Sequence, residues 1–216
     1  MTIIIKKEVK KNEMRNIGTK SIGLFPLNLV VLPGEVLRLH IFERKYKKLI
    51  NECFANNSDF VIPFMQSNQI MAFGTRVKLI DIERFYADGK MDIKVEGVSI
   101  VRLDEFIEGV NESDYALGSV REIHPQLTRK QTKYLTNLFN KFSPVDQVRN
   151  NRHEYIIETG PYSIASALPL NLNERIALIQ AIEDRNKFFS ILKDALKLQI
   201  LVDRQADSLE YKFYLN

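Results

Sequence analysis

The side chains best suited to proton transfer, metal binding or nucleophilic attack are Cys53, His40, His124 and His153. The three histidines are scattered, and no cysteine or histidine stands at the short spacing of a zinc site. Cys53 falls on the apolar face of a predicted helix, where it acts as a small core hydrophobe without a charged neighbour to activate its thiol. His40 alternates with apolar neighbours, which favours a hydrogen-bonded, half-buried histidine over a general base. We therefore predict no metal and no cofactor.

Catalytic motifs are absent from the sequence as well. It holds no G-x-x-x-x-G-K-[ST] phosphate loop, no G-x-G-x-x-G dinucleotide motif and no G-x-S-x-G nucleophile elbow. Carboxylates cluster at 104–106 and 182–184, where we expect solvated strand ends and helix faces rather than acid–base pairs. We predict a protein that is not an enzyme. The alternative, a hydrolase, would need a pocket that gathers His40 or His124 with carboxylates.

Two short stretches could form a binding surface instead. ERFYADGK carries Phe85 and Tyr86 beside a predicted turn, and FVIPFM carries Phe64 and Met65. Aromatic and methionine side chains on a curved sheet can hold an extended peptide with little sequence specificity. Packing across strands within the core is the alternative for all four residues. We predict that Phe64, Met65, Phe85 and Tyr86 bind peptide.

The formal net charge of +4 at pH 7 is unevenly placed along the chain. Residues 1–20 hold six basic and two acidic side chains, so they carry the whole excess and residues 21–216 are balanced. We predict a solvated basic tail over 1–20, with a tether to an acidic surface as the alternative. A balanced body gives no face that would neutralise several phosphates, so nucleic acid is not the expected partner.

The cellular compartment can be predicted from the cysteine count and the N-terminus. Cys53 is the only cysteine, which rules out an intrachain disulfide, and MTIIIKK lacks the features of a secretory signal. Asn28, Glu35 and Arg38 interrupt the most apolar stretch, which is then too short to span a membrane. We expect a cytoplasmic location.

Strand signals occupy residues 21–123. Pro33-Gly34 divides residues 24–42 into two predicted short strands that flank a tight turn, and a helix follows from 43 to 57. Its predicted apolar face consists of Tyr46, Leu49, Ile50, Cys53 and Phe54. Strands resume at 60–66 and 72–106, where Asp88-Gly89 predicts a hairpin whose two turn residues both have positive φ. Gly74 and Gly97 are expected at bends or bulges.

Helix signals follow from residue 124 to 216. Thr128 and Gln131 predict a capping box, Ser143-Pro144 and Gly160-Pro161 predict helix starts, and Asn173 is the predicted cap of ERIALIQAIE. The last helix should have a buried stripe formed by Phe188, Ile191, Leu192, Ala195, Leu198 and Leu201. Residues 209–216 alternate like an edge strand or a loose end.

The stretch LFPLNLVVLPGEVLRLHIFERKY, residues 24–46, resembles the opening signature of the Lon protease N-terminal domain family. The similarity continues through Phe73-Gly74, the Asp88-Gly89 hairpin, residues 95–97 and the helical block ASALPLNLNERIALIQAIEDRNKFFSIL, and it covers about residues 22–202. Two positions depart from the family pattern. Arg38 stands where the family often has proline, and Pro63 suggests an edge strand because proline cannot donate to a ladder.

The resemblance implies an α+β fold, in which a PUA-like β pseudo-barrel with one helix precedes a C-terminal α-helical bundle. The expected domains are a basic tail over 1–20, a β-rich subdomain over 21–123 and a helical subdomain over 124–216. Members of the family bind unfolded polypeptide, and this chain stops before the AAA+ and protease modules of full-length Lon proteases. We therefore expect a stand-alone module that binds extended polypeptide, with a separate protease or chaperone as partner in protein quality control. An RNA-binding adaptor that uses the barrel and the basic tail is the alternative.

Overall fold

The computed structural model describes residues 21–111, 113–141 and 160–213, with side chains up to residue 205 in the last helix. The chain divides into two units, Met1–Ile123 and His124–Asn216. The predictions for the basic tail, for His153 and for the helix start at Ser143-Pro144 lie outside the described residues. Among the described helices, none has the length and hydropathy of a membrane-spanning segment.

The first unit is a six-stranded mixed sheet that closes on itself. The strands are β1 Ile22–Leu24, β2 Val36–Ile41, β3 Phe60–Gln66, β4 Gln69–Phe85, β5 Met91–Ile107 and β6 Ala116–Glu122. They follow the order β2-β5-β4-β3-β1-β6, and β6 also pairs with β5, which joins five strands into a ring. The ring can close because β5 is 17 residues long. One of its two edges pairs with β2 over residues 91–96 and with β6 over residues 101–107. The predicted α+β fold is confirmed.

Pro33 and Gly34 form a turn that attaches to β5. The N–H of Glu35 donates to the carbonyl of Leu32 at 3.0 Å, and Gly34 has φ of 85°, so this is a type II turn. Gly34 also donates to the carbonyl of Gly97 at 2.8 Å, and Gly97 donates to Glu35 at 2.9 Å. These two bonds define a bulge with glycine in the left-handed position. The turn therefore fixes where β2 begins on β5.

The two predicted strands that flank this turn do not pair with each other. β1 pairs with β3 in parallel and with β6 in antiparallel orientation, whereas β2 pairs with β5 alone among the described strands. The bonds between Gly34, Glu35 and Gly97 explain the difference, because they direct the chain after the turn onto β5. The segment thus connects two separate parts of the sheet.

The prediction that Pro63 lies at an edge is wrong. β3 lies between β4 and β1 in the sheet. The carbonyl of Pro63 accepts from the N–H of Leu27 at 3.1 Å, and Met65 donates to the carbonyl of Leu27 at 2.9 Å. The proline ring removes one donor from this short parallel contact, and the register with β4 shifts between Pro63 and Met65. An interior strand tolerates the proline at this irregularity because a single bond is lost.

Both hairpins of β4 differ from the sequence-based expectation. Ser67 and Asn68, with φ of 49° and 60°, form the two-residue turn before β4, which the sequence analysis did not predict. At the other end of β4, Gly89 has φ of 76° and Asp88 is not among the positive-φ residues. Gly89 donates to the carbonyl of Tyr86 and Tyr86 donates to Lys90, each at 2.9 Å, which defines a three-residue loop with a bulge. The predicted hairpin is present, with a different turn.

Two apolar clusters stabilise this unit. One has members from all five strands of the ring and fills its interior: Leu24, Val61, Val101, Leu103, Phe106 and the partly buried Ile22, Ile70, Ala116 and Val120. The other lies between α1, Arg44–Asn56, and strands β2–β5. Leu49, Ile50 and Cys53 of α1 are buried there, as predicted, but Phe54 is exposed. The prediction for Phe54 is wrong because the buried face of α1 contains fewer residues than the apolar pattern of the sequence indicates.

The second unit is helical in its described part. Its helices are α2 Arg129–Phe139, α3 Pro161–Ser166, α4 Leu172–Gln180 and α5 Arg185–Phe213, and α5 packs against α2 and α4. The capping box of Thr128 and Gln131 is confirmed, and Pro161 occupies the first turn of α3. The cap of α4 is Asn171, not Asn173 as predicted, and it forms its own capping box with Glu174. Asp184 accepts from the N–H groups of Asn186 and Lys187 and thereby separates α5 from α4.

The last helix contradicts two predictions. Its buried stripe consists of Phe188, Leu192, Leu196 and Ile200, whereas Leu198 and Leu201 are exposed together with Val202. The helix also continues to Phe213, where an edge strand or a loose end was expected. Both differences arise because the sequence of α5 has apolar residues on more than one face, and packing in the tertiary structure selects one of them.

Candidate peptide-binding surfaces

The structure does not bring the four predicted peptide-binding residues together. Phe64 is 1% exposed and stacks on Phe73 with ring centroids 5.9 Å apart, so its ring is part of the core. Met65 is partly exposed near the start of β4, where it pairs with Ile70. Phe85 and Tyr86 lie at the other end of β4, in the hairpin to β5. Two separate surfaces therefore have to be considered.

The hairpin places Phe85 and Tyr86 on opposite faces. Phe85 pairs with the buried Met91 yet is 64% exposed, because it lies at the strand end beyond the core. Tyr86 is on the other face, where its hydroxyl donates to Asp92 at 2.6 Å and its ring makes a T-shaped contact with His40, with ring centroids 5.7 Å apart. A single ligand cannot use both rings side by side. The hairpin thus offers one exposed ring and one hydrogen-bonded ring on opposite faces.

His40 and Asp92 form an exposed pair beside Tyr86. Nδ1 of His40 lies 2.6 Å from a carboxylate oxygen of Asp92. The hydrogen bond from Tyr86, followed by that from His40, holds the pKa of Asp92 below its ordinary value. The other charged neighbour, Arg84, lies over the ring of Tyr86. The His40 side chain is therefore hydrogen-bonded, as predicted, to a carboxylate that stays ionised at neutral pH, but it is exposed where a half-buried histidine was expected.

A groove of about 540 Å³ opens next to Met65. It forms where the chain leaves β1, between the β3–β4 hairpin, the end of β5 and the first turn of α1. Its walls are mostly apolar, with a polar rim. The lining residues are Phe25, Pro26, Leu27, Asn28, Glu43, Lys45, Tyr46, Met65, Asn68, Ile70, Phe106 and Glu108.

The groove combines a pair of stacked aromatic rings with side chains that can change their conformation. The rings of Phe25 and Tyr46 are stacked with centroids 4.0 Å apart, and burial raises the pKa of the Tyr46 hydroxyl. Leu27, Met65 and Ile70 are only partly buried, so part of each side chain faces the opening. Methionine adapts its shape to different partners. At the rim, Lys45 pairs with Glu43 at 3.3 Å, which neutralises both charges.

Sequence reasoning found Met65 but missed the rest of the groove. Phe25 and Leu27 belong to the segment after β1, Tyr46 to α1 and Ile70 to β4, and the parallel contact between residues 25–27 and β3 helps to bring them together. That contact has no local sequence signal, since parallel pairing joins distant segments. The useful signal was the cluster of apolar residues around Pro26, which was interpreted only as core.

A smaller cavity of about 240 Å³ lies between α1 and the loop before β6. Its polar groups bond to one another: Lys48 with Asp114 at 2.8 Å, and the Tyr115 hydroxyl with Glu52. Burial, with the hydrogen bond to Glu52, raises the pKa of Tyr115. Because these groups are satisfied internally, the cavity is better explained as a link between α1 and the sheet than as a binding site.

No catalytic or metal-binding arrangement is evident in the parts of the chain that the structure describes. Within them, no group of three or more histidine, cysteine, aspartate or glutamate residues could hold a metal ion. His40 pairs with Asp92 on an open strand face, and His124 is exposed at the start of the second unit. Neither histidine lines the groove or the cavity beside α1.

Cys53 should be unreactive in the folded protein. Its side chain is buried, with Sγ 4.0 Å from the carbonyl of Asp59, and burial raises the pKa of the thiol. We expect a thiol-reactive disulfide reagent at pH 8 to modify native protein at least 100-fold more slowly than protein unfolded in guanidinium. Absorbance of the released thiolate measures both rates. Equal rates would show that Cys53 is accessible.

The fold has known counterparts. A family model described as ATP-dependent protease La (LON) substrate-binding domain matches residues 21–188. A structure titled as a Lon N-terminal domain protein from Xanthomonas campestris is 23% identical, with a TM-score of 0.58 over 81% of this chain and 98% of that one. The N-terminal domain of the Mycobacterium avium complex Lon protease is 16% identical, with a TM-score of 0.59 over 82% and 98%. No curated protein matches the chain in sequence.

Proposed function

Because the chain belongs to the ATP-dependent protease La (LON) substrate-binding domain family, we propose that it is a noncatalytic module that binds extended polypeptide in the groove beside Met65. The family name supports substrate binding in general. The groove is our proposal for the place. The observation that carries it is a concave, mostly apolar surface on whose rim Glu43 and Lys45 already pair with each other.

The chemistry of the groove fits the apolar side chains that unfolded polypeptides expose. An opening of about 540 Å³ has room for a few side chains. The stacked rings of Phe25 and Tyr46 give a rigid surface, and Met65 supplies adaptability, so different residues can bind without a strict sequence requirement. This type of surface favours broad, weak recognition. We expect micromolar or weaker affinity.

The partner follows from this weak and unspecific recognition. A module that only binds unfolded segments needs a partner that degrades or refolds them. We therefore propose a separate protease or chaperone as that partner, and an adaptor role in protein quality control. Cytoplasmic location remains our proposal, on the grounds given by the sequence.

RNA binding remains the second candidate, and one observation favours it. Arg44, Lys45, Lys47 and Lys48 cluster in the first turns of α1. However, Lys45 pairs with Glu43 and Lys48 pairs with Asp114, which halves the available charge. Binding of an RNA oligonucleotide that weakens steeply between 50 and 200 mM salt would favour this candidate over polypeptide.

Met65→Lys should weaken polypeptide binding at least about tenfold, because burying a methionine side chain contributes about 1.5–3 kcal/mol and a charge cannot replace it. The probe is a fluorescein-labelled ten-residue peptide of alternating leucine and threonine with lysine at both ends, and fluorescence anisotropy gives the Kd. Gln66→Lys is the matched control, since it adds the same charge at the next, exposed residue of β3. We expect it to change the Kd less than twofold.

The hairpin is tested in the same titration with Phe85→Ala and Tyr86→Ala. If the groove is the binding surface, both variants bind as the unmodified chain does. A loss of binding confined to the hairpin variants would move the site there, and a chain that binds no polypeptide at all would refute the proposed function.

A further inference from the structure

Strand β2 has one edge without a partner among the described strands. It pairs with β5 only, with Val36 opposite Glu96 and Ile41 opposite Met91. The bond from Gly97 to the carbonyl of Glu35 shows that Glu35 faces β5. Main-chain groups alternate between the two sides of a strand, so Leu37, Leu39 and Ile41 also face β5. The N–H and C=O groups of Val36, Arg38 and His40 consequently face the open edge.

The core side of β2 is also incompletely covered. Leu37 and Leu39 pack on the core beneath α1 but remain partly exposed, whereas Val95 and Ile93, their partners on β5, are completely buried. A further strand beside β2 would place side chains next to Leu37 and Leu39 and cover their exposed parts. Those side chains would have to be apolar, and they would occur at every second residue of the added strand.

The opposite face of β2 does not require apolar side chains from an added strand. Arg38 pairs with Glu83 at 3.0 Å, and His40 pairs with Asp92 at 2.6 Å. Both side chains are exposed to solvent on that face, and each has an acidic partner. The neighbouring side chains of an added strand can therefore be polar and of varied type.

We propose that the open edge of β2 binds an extended polypeptide segment as an additional strand, with an apolar residue at every second position. This inference rests on the proposed function and adds a second contact surface for the same polypeptide, since no residue of β2 lines the groove beside Met65. Main-chain hydrogen bonds are the same for any sequence, so the edge can select unfolded chains by conformation and by alternating hydrophobicity. Segments inside folded proteins whose main-chain groups are already paired are not recognised.

A second copy of this chain is a poorer occupant of the same edge. In an antiparallel pair of β2 strands that overlap over residues 36–40, Val36 lies opposite His40 and Arg38 lies opposite its own copy. Like charges directly opposite each other destabilise a strand pair. An unfolded segment has no such repulsion.

Arg38→Pro tests the inference. It removes the central N–H of the open edge, and it leaves the β2–β5 hydrogen bonds intact because residue 38 faces away from β5; proline is tolerated in strands at such positions. We expect the Kd for the leucine–threonine peptide to rise at least fivefold. Arg38→Ala is the matched control, since it also removes the ion pair with Glu83 but keeps the N–H, and its Kd should stay within twofold.

The same peptide N-methylated at its interior residues gives a second measurement that does not depend on how a variant folds. It should bind the unmodified chain and Arg38→Ala at least fivefold more weakly than the parent peptide, and methylation should make no difference to Arg38→Pro. Equal binding of both peptides to the unmodified chain would overturn the inference. A dimer in sedimentation that Arg38→Pro converts to monomer would also overturn it, in favour of a second copy. If Met65→Lys weakens binding while Arg38→Pro does not, the edge is refuted and the proposed function stands.

Discussion

Leu196→Ala should lower the free energy of unfolding by about 2–5 kcal/mol, the range for removing a buried leucine side chain. Leu196 is 0% exposed on the face of α5 that packs against α2 and α4. The substitution removes three carbon atoms from that contact and leaves a cavity. Chemical denaturation followed by circular dichroism measures the change.

The matched control is Leu198→Ala, the same chemical change two residues along the same helix. Leu198 is 60% exposed, so its substitution should alter stability by less than about 0.5 kcal/mol. The sequence pattern predicts the reverse, since it places Leu198 on the buried stripe. A larger loss for Leu198→Ala than for Leu196→Ala would contradict the orientation of α5 described above.

Gly97→Ala should destabilise the first unit by about 3 kcal/mol or more, at or above the upper end of the usual cost of overpacking. A Cβ at residue 97 would lie 2.4 Å from the carbonyl oxygen of Leu32 and 3.1 Å from its carbonyl carbon. Backbone atoms cannot move aside as a flexible side chain can. The bonds of Gly97 with Gly34 and Glu35 also hold the two segments together, so relieving the clash would break the start of β2. The midpoint of urea unfolding, monitored by circular dichroism, gives the effect.

Val98→Ala is the control for Gly97→Ala. Val98 lies at the adjacent bulge, where Arg76 pairs with Ser99 and Val77 pairs with Gly97, and its side chain is exposed. We expect a change of less than about 1 kcal/mol. Wild-type stability of Gly97→Ala would show that the turn at Pro33 does not approach β5 as closely as described.

Local sequence signals predicted those parts of the fold that depend on neighbouring residues. The capping box at Thr128 and Gln131, the helix start at Pro161 and the hairpin around Gly89 all require specific side chains or glycine within a few residues. The helix over residues 44–56 follows from its own periodicity. The family resemblance of residues 24–46 added the overall α+β fold, which the structure confirms.

Candidate binding residues were harder to predict, because exposure depends on what packs opposite. Phe64 and Met65 are adjacent in one apolar strand, yet only Met65 reaches a groove. Phe85 and Tyr86 are adjacent as well, and the sheet puts them on opposite faces. Composition marked these residues as suitable for binding. It contained no information on which of them share a surface.

By itself, therefore, the sequence determined the type and approximate limits of most helices and strands, since these depend on contacts between residues close in the chain. Only the tertiary structure decided that β1 and β2 join different strands, that Pro63 lies inside the sheet and that Leu196 rather than Leu198 is buried. The physical reason is that strand pairing and helix packing join residues far apart in sequence. The open edge of β2 arises from that long-range pairing, and so does the groove beside Met65.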